Sequence, residues 1–219
     1  MPTLEDAISQ LYEAFADVPR PMDIDACPCC VDSKNLCALT TLPLRDIPAD
    51  DLGPYAASAF LTVGDVPDYL YFLPRILECS ARQEFWWPDP EVTGRAIANT
   101  HPAEWPAPRR AAFHQFLSSQ VSHLLEQADS GSELDSWLCA IARMGLDVRP
   151  FLSQIEPSLP HVLSFYEANA NQLTERKLAN AFWELPNEGH DQILAWFGSE
   201  PVSDIILQAY GVALYHDCK

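Results

Sequence analysis

Four of the seven cysteines of this chain fall within eleven residues near its start. Cys27, Cys29 and Cys30 stand in the stretch Cys-Pro-Cys-Cys, and Cys37 follows seven residues later. Cys27 and Cys30 have the two-residue gap of a zinc knuckle, in which two thiolates hold one metal ion. The same gap also occurs in redox-active cysteine pairs. This segment is therefore the first candidate for chemistry in the chain.

The cysteine cluster predicts one structural zinc ion. Cys27 and Cys30 would supply two sulfur ligands, Cys29 could replace either, and Cys37 would supply a third from the next turn. The fourth ligand would come from a distant part of the chain, where the candidates are Cys79, Cys218, His101 and His216. No second paired knuckle exists, so reduced thiols without metal and a redox function remain alternatives. A thioredoxin-like site would need alternating strands and helices around it, and that pattern is missing.

The rest of the sequence contains no recognisable catalytic constellation. The six histidines are scattered without the spacing of a helical metalloprotease, and we expect them at the surface. Only eight glycines occur, and none forms a phosphate-binding loop, a dinucleotide fingerprint or a nucleophile elbow. The acidic pairs Asp23/Asp25 and Asp50/Asp51 are typical of caps and solvated loops. We therefore assign no catalytic residue and favour a function other than an enzyme's.

An aromatic run, Phe85-Trp86-Trp87, interrupts the helical pattern, and Trp105 follows it in the next connector. Tryptophan is enriched in the binding hot spots of protein interfaces. Large aromatic side chains are equally typical of a helical core, which this run could close at one end. Trp86 and Trp87 are the candidate partner-binding residues of the chain, with a core position as the alternative.

The elements that must position these residues are helices. Apolar residues recur at helical spacing along the chain, and many of the 19 prolines fall between the periodic segments. Strand pairs and hairpin turns are not evident. We predict an all-α fold of about nine or ten helices, arranged as an irregular bundle or as stacked helical hairpins. Residues 1–219 would form a single domain, with an irregular cysteine-containing segment at 20–48.

Two helices near the middle of the first half are predicted to form a tight hairpin. One begins near Asp50 and ends at Gly64, and the next is capped by Asp65, with Pro67 in its first turn. A join of one residue would turn the second helix back on the first. A kink is expected in the second helix at Pro74.

The net charge of −18 and the sequence pI near 4.4 restrict the partners of the chain. Nucleic acids and anionic membrane surfaces both require a basic face, so neither is expected as a direct partner. A basic protein would instead be steered towards this chain by its charge. The start lacks the layout of a signal peptide, and no apolar run is long enough to cross a bilayer. We expect a cytoplasmic protein whose thiols are reduced or bound to metal.

Three segments together resemble a known group of proteins. They are Cys27-Pro28-Cys29-Cys30, the run Leu61-Thr62-Val63-Gly64-Asp65-Val66, and the run Tyr71-Phe72-Leu73-Pro74-Arg75-Ile76-Leu77. Together with Pro43-Leu44-Arg45, they are similar to an uncharacterised bacterial protein family with this N-terminal cysteine motif and a helical body. The resemblance covers roughly the first eighty residues and implies a bacterial, cytoplasmic source. It transfers no catalytic or binding residue, because no activity is established for the family.

These observations favour a binding protein over an enzyme. An acidic helical protein of this size is suited to covering the cationic site of a basic enzyme. The hypothesis is a protein that neutralises a protein partner, for example an immunity protein against a bacterial toxin. The alternatives are a zinc- or thiol-dependent enzyme or redox sensor that uses the cysteine cluster, and a protein in which zinc has a purely structural role.

Overall fold

The structure, a computed structural model, describes residues 2–27, 32–128 and 130–211. Within these ranges it is all-helical, with eleven α-helices, two short 3-10 turns and no β-sheet, which confirms the predicted fold class. No helix of the described part is long and apolar enough to cross a membrane. The contacts within the chain divide it into two compact units, Met1–Gln120 and Val121–Lys219.

The first unit is built around one long helix. That helix, α4, packs against α1 and α3, and α3 packs in turn against α2 and α5. Their shared core is apolar and includes the buried side chains of Leu11, Leu52, Tyr55, Phe72 and Ile76. The helices are α1 (Leu4–Ala14), α2 (Ser33–Thr41), α3 (Ala49–Ser58), α4 (Val66–Arg82), α5 (Pro90–Ala98) and most of α6 (Ala107–Leu124), with 3-10 turns at Leu44–Asp46 and Pro102–Glu104.

The start of α4 follows the sequence prediction. The Asp65 carboxylate accepts a hydrogen bond from the backbone N–H of Asp68 (3.0 Å), and the Asp68 carboxylate accepts one from the backbone N–H of Asp65 (3.4 Å). This reciprocal capping box satisfies two of the N–H groups that every helix start leaves unpaired. Pro67 lies in the first turn, and the helix continues through Pro74 to Arg82.

The predicted one-residue join between α3 and α4 is wrong. Helix α3 ends at Ser58, and residues 59–65 form a loop. Phe60 takes a left-handed conformation (φ 61°), and its N–H donates to the carbonyl oxygen of Val63. Gly64 also has positive φ (65°), which glycine adopts without strain. Hydrophobic periodicity continues through this stretch because Ala59 and Val63 are buried although they are not helical.

The cysteine-containing segment at 20–48 is held to this loop by backbone hydrogen bonds. The N–H of Cys27 donates to Thr62 O (2.9 Å), and the N–H of Gly64 donates to Asp25 O (2.8 Å). The segment also contains α2 and the 3-10 turn Leu44–Asp46, so only part of it is irregular. Residues 28–31 lie outside the described residues.

The second unit contains the end of α6 and five further helices. Helix α7 packs against α9 and α10, while α11 packs against both α9 and α10. Helix α7 begins at Gly131 and has Ser130 as its N-cap. The helices are α7 (Gly131–Arg143), α8 (Arg149–Ile155), α9 (Leu159–Leu173), α10 (Glu188–Phe197) and α11 (Glu200–Ala209).

Candidate functional site

Residues 83–89 connect α4 to α5 and are called here the aromatic loop. Its first turn is closed by a hydrogen bond from the backbone N–H of Trp86 to the carbonyl oxygen of Gln83 (3.1 Å). Phe85 is 92% exposed and Trp87 is 60% exposed, whereas Trp86 is half-buried. Two large apolar side chains therefore face solvent within three residues of each other.

In the described part of the chain, the aromatic loop is where two exposed large hydrophobic residues lie close together in sequence. The other exposed large hydrophobic residues in the described part are Met22, Leu61, Leu159, Leu185 and Tyr210, which are well separated in sequence. Single exposed apolar residues are ordinary, while adjacent ones often mark a contact surface. Trp105, in the next connector, is by contrast buried and packs against Phe15 and Phe113.

The loop is seated on α3 through a glycine. A Cβ atom placed on Gly53 would lie 2.6 Å from the carbonyl oxygen of Trp87 and 4.0 Å from the ring of Trp86. Real Cβ atoms do not approach an oxygen this closely, so only glycine allows the loop backbone to rest on the helix here. This close approach places the backbone of Trp87 and the ring of Trp86 beside α3.

The loop and the two neighbouring helices enclose a cavity of about 640 Å³, called here the aromatic cavity. This volume is in the range of small-ligand and side-chain sites, which span about 300–1,000 Å³. The end of α4 contributes Arg82, the first half of α3 contributes one wall, and the aromatic loop contributes the other. The lining residues are Ala49, Asp50, Gly53, Pro54, Arg82, Gln83, Glu84, Phe85, Trp86 and Trp87.

Two carboxylates and one guanidinium set the charge of the cavity wall. The guanidinium of Arg82 donates to Glu78 Oε1 (3.0 Å) and to the carboxylate of Glu5, so its charge is already compensated. Asp50 and Glu84 are exposed, and no cation in the described part of the chain forms an ion pair with either. The cavity is therefore acidic and has aromatic walls.

The indole N–H of Trp86 is buried and meets no acceptor among the described residues. Trp105 differs, since its indole N–H donates to the carbonyl oxygen of Thr100 (3.0 Å). A buried donor without an acceptor is uncommon in folded proteins and is often completed by water or by a ligand. Trp183, which does not line this cavity, likewise has a buried indole N–H without an acceptor among the described residues.

A buried polar network lies behind the cavity and was missed by the sequence analysis. Glu78 accepts hydrogen bonds from Tyr12 Oη (2.6 Å), Arg75 Nη1 (2.8 Å) and Arg82 Nη1 (3.0 Å). Arg75 also donates twice to the carbonyl oxygen of Ile47, at 3.1 Å each. The signal for part of it was present, because positions 75, 78 and 82 stand on one helix face.

Two groups in this part of the first unit, Tyr12 and Cys79, have raised pKa values. Burial, together with the hydrogen bond to Glu78, raises the pKa of Tyr12 well above its ordinary value near 10.0. Burial likewise raises the pKa of the Cys79 thiol to about 11. A thiol with a raised pKa is protonated at neutral pH and is a poor nucleophile or metal ligand.

The described residues test the zinc prediction only in part. Cys27 is half-buried and Cys37 is exposed, while Cys29, Cys30, Cys218 and His216 lie outside the described residues. Within the described ranges, no group of three or more histidine, cysteine or acidic side chains could hold a metal ion. The zinc site consequently stays a prediction.

The expectation that all histidines lie at the surface is wrong for two of them. His161 is buried and fully hydrogen-bonded, with Nδ1 2.6 Å from Ser158 Oγ and Nε2 2.9 Å from Gln127 O. His190 is buried against the ring of Trp183. The two hydrogen bonds of His161 join the start of α9 to the segment that follows α6.

The second unit has a groove of about 450 Å³ between α8 and α10. Its floor is formed by Leu152, Ala195 and Trp196. One polar residue that lines the groove is paired within the unit: Gln192 Oε1 accepts from the backbone N–H of Val148 (3.0 Å), and its amide donates to Glu188 (3.1 Å). The groove lacks the adjacent exposed aromatic residues of the aromatic loop, and the aromatic cavity is therefore the stronger candidate.

Comparison of the chain with protein-family models, with curated proteins and with solved structures gave no match.

Proposed function

We propose that this chain is a binding protein that neutralises a basic protein partner, with the aromatic loop at the centre of its contact surface. The observation that carries the proposal is the exposure of Phe85 and Trp87 on a loop fixed by Gly53, beside the unpaired carboxylates of Asp50 and Glu84. A partner that covers the two rings and brings positive charge would complement both features.

The aromatic loop has the composition of an interface centre. Burying a Phe side chain that water had covered contributes roughly 1.5–3 kcal/mol, so leaving Phe85 exposed forgoes that much stability in the isolated chain. Tryptophan contributes a large apolar face with few rotatable bonds, and such residues dominate many interfaces. Because the loop backbone rests on α3 at Gly53 and a hydrogen bond from Trp86 N–H to Gln83 O closes its first turn, part of its ordering precedes association.

The charge of the whole molecule favours a basic partner. A net charge of −18 raises the rate at which a cationic protein meets the chain, and this attraction weakens as salt is added. Acidic rim residues add specificity by repelling acidic proteins. A basic toxin, such as an enzyme that acts on nucleic acid, fits this description, and an immunity protein is the concrete form of the proposal.

Capture from a lysate of the native host tests the proposal when it compares three baits. The first is the wild-type chain, and the second is the double variant Phe85→Ala/Trp87→Ala. The third is a matched control, Leu61→Ala/Leu185→Ala, which removes two exposed apolar side chains from other places. Bound proteins are eluted in rising salt and identified by mass spectrometry.

The proposal requires one basic protein at near-equal stoichiometry on the wild type and the control, released by salt and absent from the loop variant. Co-expression of that protein with the chain should then suppress its activity. Equal capture by all three baits, or a captured protein without net positive charge, contradicts the proposal.

A further inference from the structure

We propose that the aromatic cavity binds the side chain of an arginine, presented on a peptide segment of the partner. The inference rests on the proposed function, because it names the chemical group through which the partner engages this surface. It can be tested without the partner, since a short peptide carries the same group.

The walls of the cavity suit a planar cation. Three aromatic residues, Phe85, Trp86 and Trp87, are among those that line it. A guanidinium stacks on indole more often than an ammonium does, because it is planar and less strongly hydrated. The aromatic loop therefore favours arginine over lysine.

The charges on the wall suit the same group. Asp50 and Glu84 line the cavity without a cationic partner in the described part of the chain, so a guanidinium would find two carboxylates there. Arg82 does not oppose it strongly, because Glu5 and Glu78 already compensate its charge. A guanidinium can donate several hydrogen bonds in a fixed plane, which matches carboxylate acceptors.

The size of the cavity suits a peptide segment better than a free side chain. Its volume of about 640 Å³ leaves room for backbone on either side of the arginine. A peptide also brings carbonyl oxygens, and the buried indole N–H of Trp86 has no acceptor among the described residues.

The experiment is a titration of the full chain, labelled with ¹⁵N, with blocked peptides of sequence Ala-Ala-X-Ala-Ala. X is arginine, lysine or citrulline, which has the shape of arginine without its charge. The indole N–H resonances are followed, and those of Trp86 and Trp87 are assigned from Trp86→Phe and Trp87→Phe. The arginine peptide is expected to shift both resonances in a saturable manner, while the citrulline peptide leaves them unchanged. Lysine should bind at least about threefold more weakly, because it stacks less well on indole.

A pair of matched variants tests the contribution of the Asp50 carboxylate to peptide binding. Asp50 and Asp51 both stand in the first turn of α3, so replacing either with asparagine changes the helix start alike, but only Asp50 lines the cavity. Asp50→Asn should weaken arginine peptide binding by about twofold to fivefold, the size expected of one exposed ion pair. Asp51→Asn should bind as the wild type does.

Equal shifts from citrulline or lysine peptides would overturn the inference, and so would equal binding by the Asp50→Asn and Asp51→Asn variants. These failures differ from failure of the proposed function. A captured basic partner that needs Phe85 and Trp87, without arginine peptide binding, removes the inference alone. Arginine peptide binding without any captured partner keeps the inference and removes the proposed function.

Discussion

The carbonyl oxygen of Trp87 lies so close to the Cα atom of Gly53 that a Cβ atom on that helix residue would stand 2.6 Å from it. The aromatic loop and α3 are thus in backbone contact beside the two tryptophans. The contact has a structural role and also sets the geometry of the candidate site. Its removal should affect stability and binding together.

Replacing Gly53 with alanine should displace the aromatic loop. The added methyl group must push away a backbone oxygen, which cannot rotate aside, and we expect a loss of about 1–3 kcal/mol in the free energy of unfolding. Urea denaturation measures this loss. Gly198→Ala is the control, because its Cβ would meet nothing closer than 3.5 Å. Equal stability of Gly53→Ala and wild type would contradict the close contact.

Reversing the charge of the cavity rim should weaken association with a basic partner. In the double variant Asp50→Lys/Glu84→Lys, two attractive carboxylates become repulsive ammonium groups, and binding should fall by about tenfold or more at low salt. The difference should shrink as salt is added, because exposed charges are screened beyond about 10 Å at 0.1 M. Surface plasmon resonance at several salt concentrations measures this. Glu133→Lys/Glu175→Lys, with the same net charge and exposed side chains on the second unit, is the control.

The helices could be predicted from the sequence because their signals are local. Asp65, Pro67 and the apolar stripe that follows them act within one or two turns, and α4 starts where they indicate. The end of α3 could not be predicted in this way. It depends on a left-handed residue at Phe60 and on hydrogen bonds between residues 62–64 and 25–27, which are distant in sequence.

The candidate site could be predicted in part. Residue type alone indicates Trp86 and Trp87, but the sequence leaves open whether they face the core or solvent. The loop backbone approaches α3 at Gly53, and a glycine inside a helix carries no local sign that a loop rests on it. Similarly, the spacing in sequence predicts that Arg75, Glu78 and Arg82 share one face of α4. The contact between Glu78 and Tyr12 of α1 could not be predicted, because it depends on how the two helices pack.

Removing the hydroxyl group of Tyr12 should destabilise the first unit. The phenol donates a 2.6 Å hydrogen bond to the buried carboxylate of Glu78, and hydrogen bonds to charged groups contribute about 1.5–3 kcal/mol. The variant Tyr12→Phe keeps the ring beneath Arg45, whose guanidinium lies 3.7 Å from its centroid. Urea denaturation at pH 8 should show the loss, and an unchanged midpoint would contradict the role of this bond.

The contribution of Tyr12 should disappear in alkaline solution. Burial and Glu78 raise the pKa of this phenol in the folded chain, so the unfolded chain loses the proton first as the pH rises past about 10. The stabilising effect is therefore complete below pH 10 and is lost above it, by up to about 1.4 kcal/mol per pH unit. Cys79 titrates in both proteins, so subtracting the Tyr12→Phe curve from the wild-type curve isolates Tyr12. A difference that stays constant from pH 8 to about 11 would contradict the raised pKa.

Asn169 should be important for the second unit. Its side chain is buried in α9, where the amide donates to Phe165 O (3.0 Å) and the oxygen accepts from the backbone N–H of Ala179 (2.7 Å). The second bond holds the segment that follows α9, so Asn169→Ala should cost about 1–3 kcal/mol. Asn171→Ala makes the same change at an exposed position of the same helix and controls for helix propensity. If both variants melt alike, the bond to Ala179 is not important for stability.

The zinc prediction can be tested by metal content and stability measured together. If Cys27 and Cys30 hold a structural ion, Cys27→Ser or Cys30→Ser should release zinc and lower the melting temperature, because the free energy of metal binding is part of that of folding. Serine at position 27 keeps the backbone N–H that bonds to Thr62, so loss of that bond would not explain the effect. Cys139→Ser, a buried site in α7, should lower stability while the zinc content stays unchanged. Wild-type protein that carries no stoichiometric zinc, and melts identically with a chelator, would rule the site out and make the alkylation rates of Cys29 and Cys30 the next measurement.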